Sequence, residues 1–195
     1  MDIRVLLEPT VDLPRLGKFL DELGHAGRLW VVHSFGKRDL AALFEAAQGA
    51  DPLTLEGLVP DDVAPLVEVI HHGKNSLPMR SHFQKRFCRA SSDPGLLWGY
   101  NHQAMAWATG PGYFVTRMGD TAGEIDIDYT RLPTEKPTPW PAIVPNTARL
   151  GRFVYAGMVD ILRRVSSHVT IGRAKKGGGF MDAWFALVRE DSPRG

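Results

Sequence analysis

The run His71-His72-Gly73-Lys74-Asn75-Ser76-Leu77-Pro78-Met79-Arg80-Ser81-His82-Phe83-Gln84-Lys85-Arg86-Phe87-Cys88-Arg89 decides how the rest of the chain is read. It holds three histidines, five cations, the only cysteine and no acid. Met79, Phe83 and Phe87 recur every four residues, the spacing of one apolar helix face. Arg80, Lys85, Arg86 and Arg89 fall largely off that face. Asn75 or Ser76 can cap such a helix with a short oxygen-bearing side chain, and Pro78 suits its first turn. Gly73 leaves the preceding loop free to turn. The spacing therefore predicts a loop running into a basic helix, with Lys74 and the two histidines at its mouth. Exposed N–H groups there favour an anion. The run is not a phosphate-binding P-loop, because it lacks both the upstream glycine and the hydroxyl residue after the lysine. A solvated basic helix with core phenylalanines is the plainer reading of the same residues.

Outward from this run the chain changes charge. Through Glu68 there are twelve acids and six Lys plus Arg, a net of −6; from Val69 onward the net is +7. The whole chain of 195 residues carries +1, with 44% hydrophobic and 23% charged residues, ordinary for one globular domain. The division suggests a single domain made of an acidic, mostly helical lobe (1–68) and a basic sheet-and-helix lobe (69–195). It permits a homo-oligomer in which opposite lobes meet. One cysteine rules out an intramolecular disulfide and suits a reducing compartment, so a cytoplasmic location is expected. No apolar run reaches membrane-span length and no secretory signal is visible, so no membrane partner is expected.

Toward the N-terminus, residues 2–8 read as a short strand. Asp12 with Pro14 starts a helix whose stripe is Leu13, Leu16, Phe19, Leu20 and Leu23. Leu29 to Val32 is ambiguous between a buried strand and part of a second helix, which would run through 26–34. Lys37 to Ala47 is a helix with Leu40, Leu43 and Phe44 facing in. The pair could mimic a helix-turn-helix, but the lobe is net acidic and DNA contact needs cations, so DNA is not an expected partner.

Toward the C-terminus strand signals dominate: 96–101, 113–118, 124–131, 168–175 and 180–188. In the third of these Ile125, Ile127 and Tyr129 share one face and Glu124, Asp126, Asp128 and Thr130 the other. Residues 133–145 carry five prolines and read as an irregular connection that could cover a site or wrap the sheet. Asn146 then caps an expected helix, 147–166, striped by Leu150, Phe153, Val154, Met158, Ile161, Leu162 and Val165. The expected fold is α+β: an antiparallel sheet of about five strands (96–188) crossed by that long amphipathic helix, with the helical lobe at its side.

The function expected from this arrangement is binding of a small molecule with a carboxylate or phosphate group. His71, Lys74, Asn75, Ser76 and Arg80 would hold it, with Tyr100 and His102 nearby. If chemistry occurs, His72 with Asp126 or Asp128 would act as a metal-independent acid/base pair. A protein-interaction role is the third alternative. The sequence does not identify a cofactor. None of the seven histidines shows a metal motif, and His71 and His72 would face opposite ways on a strand, so no metal is expected. Cys88 beside cations could be an activated thiol or a small buried residue.

Overall fold

Phe83, Lys85 and Phe87 occupy alternate positions of a strand that point the same way, and the expected basic helix does not exist. The computed structural model describes residues 3–77, 81–103, 106–148 and 150–191. It is a closed barrel of eight antiparallel strands in sequence order. They are β1 (Val69–Asn75), β2 (His82–Arg89), β3 (Leu97–His102), β4 (Tyr113–Met118), β5 (Ile125–Asp128), β6 (Met158–Arg164), β7 (Val169–Lys176) and β8 (Gly179–Arg189). β1 pairs with β8 to close the ring, His71 opposite Arg189 and Asn75 opposite Phe185. Closure removes the open edges that a five-strand sheet would expose.

This replaces the α+β architecture, and two misread segments account for the difference. Met79 to Arg89 fits both periods, because Phe83 and Phe87 are four apart on a helix face and also on a strand face. Residues 147–166 contain no long helix. Asn146 bridges backbone carbonyls instead, its Nδ2 donating to Tyr113 (2.6 Å) and Tyr129 (2.8 Å). A four-residue helical turn, Gly151–Val154, follows. Gly157 then takes φ 70° and redirects the chain into β6. β6 shows no alternation because both of its faces are buried. Leu162 joins the barrel interior, while Ile161 and Val165 pack under the N-terminal helices.

Those helices are α1 (Arg4–Leu7), α2 (Leu13–Glu22), α3 (His25–His33), α4 (Lys37–Ala46) and α5 (Leu55–Leu58). Residues 4–7 are thus helical, not a strand. Asp12 caps α2 by accepting from the Arg15 N–H at 3.2 Å, as expected. Leu16, Leu20, Val32, Leu40, Leu43 and Phe44 bury themselves against Ile171, Ala186 and Val188 on the outside of β7 and β8. Leu53, Leu55, Leu58 and Val59 join the apolar cluster of the barrel interior, with Phe87, Leu97, Phe114 and Ile125. The proline-rich segment wraps the sheet: Trp140 packs on Tyr100 and Tyr113 outside β3 and β4, and Tyr113 donates its hydroxyl to Pro141 O at 2.6 Å.

Three inward glycines shape the interior. Gly73 faces Phe83, Gly99 faces Phe114 and Gly172 faces Phe185 across neighbouring strands. A Cβ on each would lie 2.5, 2.2 and 2.3 Å from the facing ring. The missing side chains let the rings lie against the wall, as small/large alternation does in tapered barrels. Among the described residues, no helix is long and apolar enough to cross a membrane.

Candidate functional site

The three phenylalanines converge on Lys85. Its Nζ lies 5.7 Å from the Phe83 ring and 5.1 Å from the rings of Phe114 and Phe185. Tyr129 is a fourth ring at 5.0 Å. Lys85 belongs to the inward row because it faces His71 on β1 and Asn101 on β3. Only 3% of its surface is exposed.

A lysine in such surroundings needs acceptors, since an unpaired buried cation is very costly. Lys85 has three. Nζ donates to Asn101 Oδ1 (3.0 Å), to Asp160 Oδ2 (3.0 Å) and to the Tyr129 hydroxyl. Tyr129 donates on to Asp160 Oδ2 at 3.2 Å and accepts from Asn101 Nδ2 at 3.0 Å. Tyr155 stacks on Tyr129 with centroids 5.3 Å apart and receives a 2.6 Å hydrogen bond from Gln103. Burial pulls the Lys85 pKa below the usual lysine range, with Asp160 opposing the shift. Burial also raises Tyr129 well above a free phenol, and the Asp160 carboxylate adds to that.

This cluster lines a cavity of about 180 Å³ at one end of the barrel. Its walls include Phe83, Phe185, Met158 and Ala174, and its rim includes Asn75, Ser76 and Leu77. A dry cavity of about 150 Å³ takes a benzene ring, so the space suits one ring-sized group. A wider groove of about 840 Å³ lies between α2 and residues 164–166, but charged surface residues such as Lys18, Asp21, Glu22 and Arg164 line it.

The residues expected to form a site are dispersed by the barrel. His71 is inside, 1% exposed, its Nε2 bonded to Leu58 O at 2.9 Å. Burial pushes it down to about 3, too low to exchange protons near neutrality. His72 is outside, as strand alternation requires, with Nε2 2.6 Å from Glu190 Oε1. Lys74 shares the outer face and donates to Asn75 O. Asn75 and Ser76 do reach the cavity rim, where Ser76 bonds the backbone of Trp184. Arg80 lies outside the described residues. Tyr100 sits under the proline-rich segment, and His102 is exposed on the outer face of β3.

Asp126 and Asp128 belong to β5, across the barrel from β1 in the strand order, so neither is brought to His72. Asp126 pairs with Arg117 at 3.0 Å, and Asp128 accepts from the Thr130 N–H and hydroxyl. Cys88 is buried and its thiol is pushed up to about 12, chiefly by burial, which removes it as a nucleophile.

The sequence reading missed Lys85, Asn101, Tyr129 and Asp160 as a unit. A signal was present: Lys85 stands between Phe83 and Phe87, and Asp160 within Met158 to Leu162, as lone charges in otherwise apolar rows. No family model matches this chain, and neither the curated proteins nor the solved structures provide a match.

Proposed function

We propose that the barrel is a receptor for a small, ring-sized molecule that presents a carbonyl or hydroxyl oxygen to the Lys85–Tyr129–Asp160 cluster. The observation that carries this reading is the position of that cluster: a paired charge, fully buried, at the floor of a cavity rather than sealed in a filled core. Aromatic and aliphatic walls with a few convergent polar groups are the ordinary make-up of ligand sites. Asp160 already balances the charge of Lys85, so an uncharged or singly charged oxygen ligand suits the site better than a phosphate. The anion-binding role expected of the 73–76 loop loses its helix N-terminus, and Asn75 and Ser76 serve instead as rim residues. A cytoplasmic location fits the single thiol and belongs to the same proposal.

Benzaldehyde and phenol are suitable probes, titrated against the full chain by calorimetry and by ligand-observed NMR. The expected result is saturable binding of at least one, abolished in Ala174→Phe, which fills the cavity from the wall position directly opposite Asp160. Equal binding by Ala174→Phe, or none by the native chain at millimolar probe, would overturn the reading.

A further inference from the structure

The outer face of the β1–β8 seam carries a second set of groups that the barrel cavity does not use. His72 projects outward from β1. Glu190 follows β8, its N–H bonded to Ile70 O at 2.9 Å, which sets its side chain beside that of His72 on the same face. α3 crosses here and its first residue is His25, whose ring centroid is 5.3 Å from that of His72. One ligand atom from each of His25, His72 and Glu190 lies within 4.8 Å of the other two.

We propose that His25, His72 and Glu190 bind a divalent transition-metal ion of the zinc type, clamping α3 to the strand pair that closes the barrel. Two imidazoles and one carboxylate are a recurrent zinc ligand set that leaves a further position for water. Two observations beyond proximity point to a ligand. His25 Nδ1 is buried without a hydrogen-bond partner. All three side chains are half-buried, so their orientation is restrained while solvent still reaches the site. Ligand atoms around tetrahedral zinc sit about 3.3 Å apart for metal–ligand bonds near 2.0–2.1 Å. The ion would take the place of the hydrogen in the 2.6 Å His72–Glu190 contact, the His72 imidazole staying neutral with its proton on Nδ1, and would draw His25 inward by a side-chain rotation. The three residues lie 47 and 118 positions apart in sequence, so no motif could announce them.

A second histidine pair lies along the same face, His33 and His82, with rings 4.3 Å apart. Among the described residues it has no carboxylate partner of this kind, and it serves as the internal control.

The test is titration of the full chain with Zn²⁺ by calorimetry, and with Co²⁺ by its visible absorbance, in a buffer that does not chelate. The expected result is one equivalent bound, the absorbance of a low-coordinate cobalt site, and a higher melting temperature with Zn²⁺. His25→Ala, His72→Ala and Glu190→Gln should each weaken binding by at least about 10–100-fold, the cost of losing even an outer partner of a metal ligand. His33→Ala/His82→Ala should bind as the native chain does. Glu190→Gln preserves shape, so its loss of binding with an unchanged circular dichroism spectrum reads the ligand role directly. Absence of binding in the native chain would overturn the proposal. So would binding that survives His72→Ala and Glu190→Gln but disappears in His33→Ala/His82→Ala.

Discussion

His71 and His72 are neighbours on one strand, yet the wall of the barrel separates them into two chemistries. Inside, His71, Lys85 and Asp160 are almost fully removed from water, and each polar contact is made by a fixed partner. Outside, His72 and Glu190 form a shorter contact, 2.6 Å, with 26% and 41% of their side chains exposed. Distance alone therefore does not set the weight of a contact. A contact inside replaces water that cannot return, whereas one outside competes with water that is always present. Removing groups on either side of the wall measures that difference.

The largest effect belongs to Lys85. Lys85→Met leaves the Asp160 carboxylate buried without its cation, and breaking a buried pair in this way costs about 3–5 kcal/mol. Urea denaturation should show that loss. The double variant Lys85→Met/Asp160→Leu should recover much of it, because it removes both charges and supplies apolar volume where four rings already stand. A single variant costing less than about 1 kcal/mol, the value typical of exposed pairs, would mean that water reaches the cluster through the cavity and that inside and outside are not distinct.

His71 sharpens the contrast through pH. In its neutral form Nε2–H donates to Leu58 O, and a proton added to Nδ1 finds no acceptor, since that atom is buried and unpartnered. Its folded pKa of about 3 lies below the ordinary 6.5. As pH falls the unfolded chain takes up the proton first, so stability is fully present above about pH 6.5 and declines toward pH 3 by about 1.4 kcal/mol per unit. His33, His102 and His168 are also lowered, mainly by burial, and act in the same direction. His71→Gln should therefore remove most of the slope between pH 6 and 4, read from urea midpoints at each pH. An unchanged slope would assign acid sensitivity to the outer histidines together with the carboxylates held low, Asp39, Glu56, Glu135 and Asp191.

Five of the eight strands, together with α2 and α4, were legible because turn and stop signals bound their apolar runs. Asp12 before α2 and the Gly177–Gly178 turn between β7 and β8 are local chemistry that packing does not alter. β1, β2 and β6 were not legible: His71 to Asn75 of β1 read as a loop, and the other two failed for different reasons. Phe83 and Phe87 satisfy both periods, and the lone Lys85 between them looks solvent-facing until the ring closes over it. β6 buries Ile161 under helices and Leu162 in the barrel, so its run has no period to read. Without those three strands the sheet stays open and needs a crossing helix to cover it. The site was hidden by the same omission: Lys85 on β2 and Asp160 on β6 lie 75 residues apart and meet only after closure. Asn75 and Ser76 were found near a cavity, but on its rim.

The smallest effect lies outside and is the most discriminating. In metal-free protein, Glu190→Gln removes one half of a solvent-exposed pair while keeping a hydrogen-bonding oxygen in place. The expected change is less than about 1 kcal/mol, the range of exposed ion pairs. Asp160→Asn, the matching change inside, preserves shape equally well but leaves a buried ammonium without its anion, and should cost several times more. Both substitutions replace one carboxylate oxygen by an amide nitrogen, so the ratio of the two costs isolates the environment from the chemistry. Measured by urea denaturation in the presence of a chelator, a ratio near one would mean that the barrel interior is as wet as its surface. If the ratio is large without the chelated metal and shrinks when Zn²⁺ is present, the outer pair has acquired its own fixed partner. The two sides of the wall would then differ in what completes them: Asn101 and Tyr129 within, an ion without.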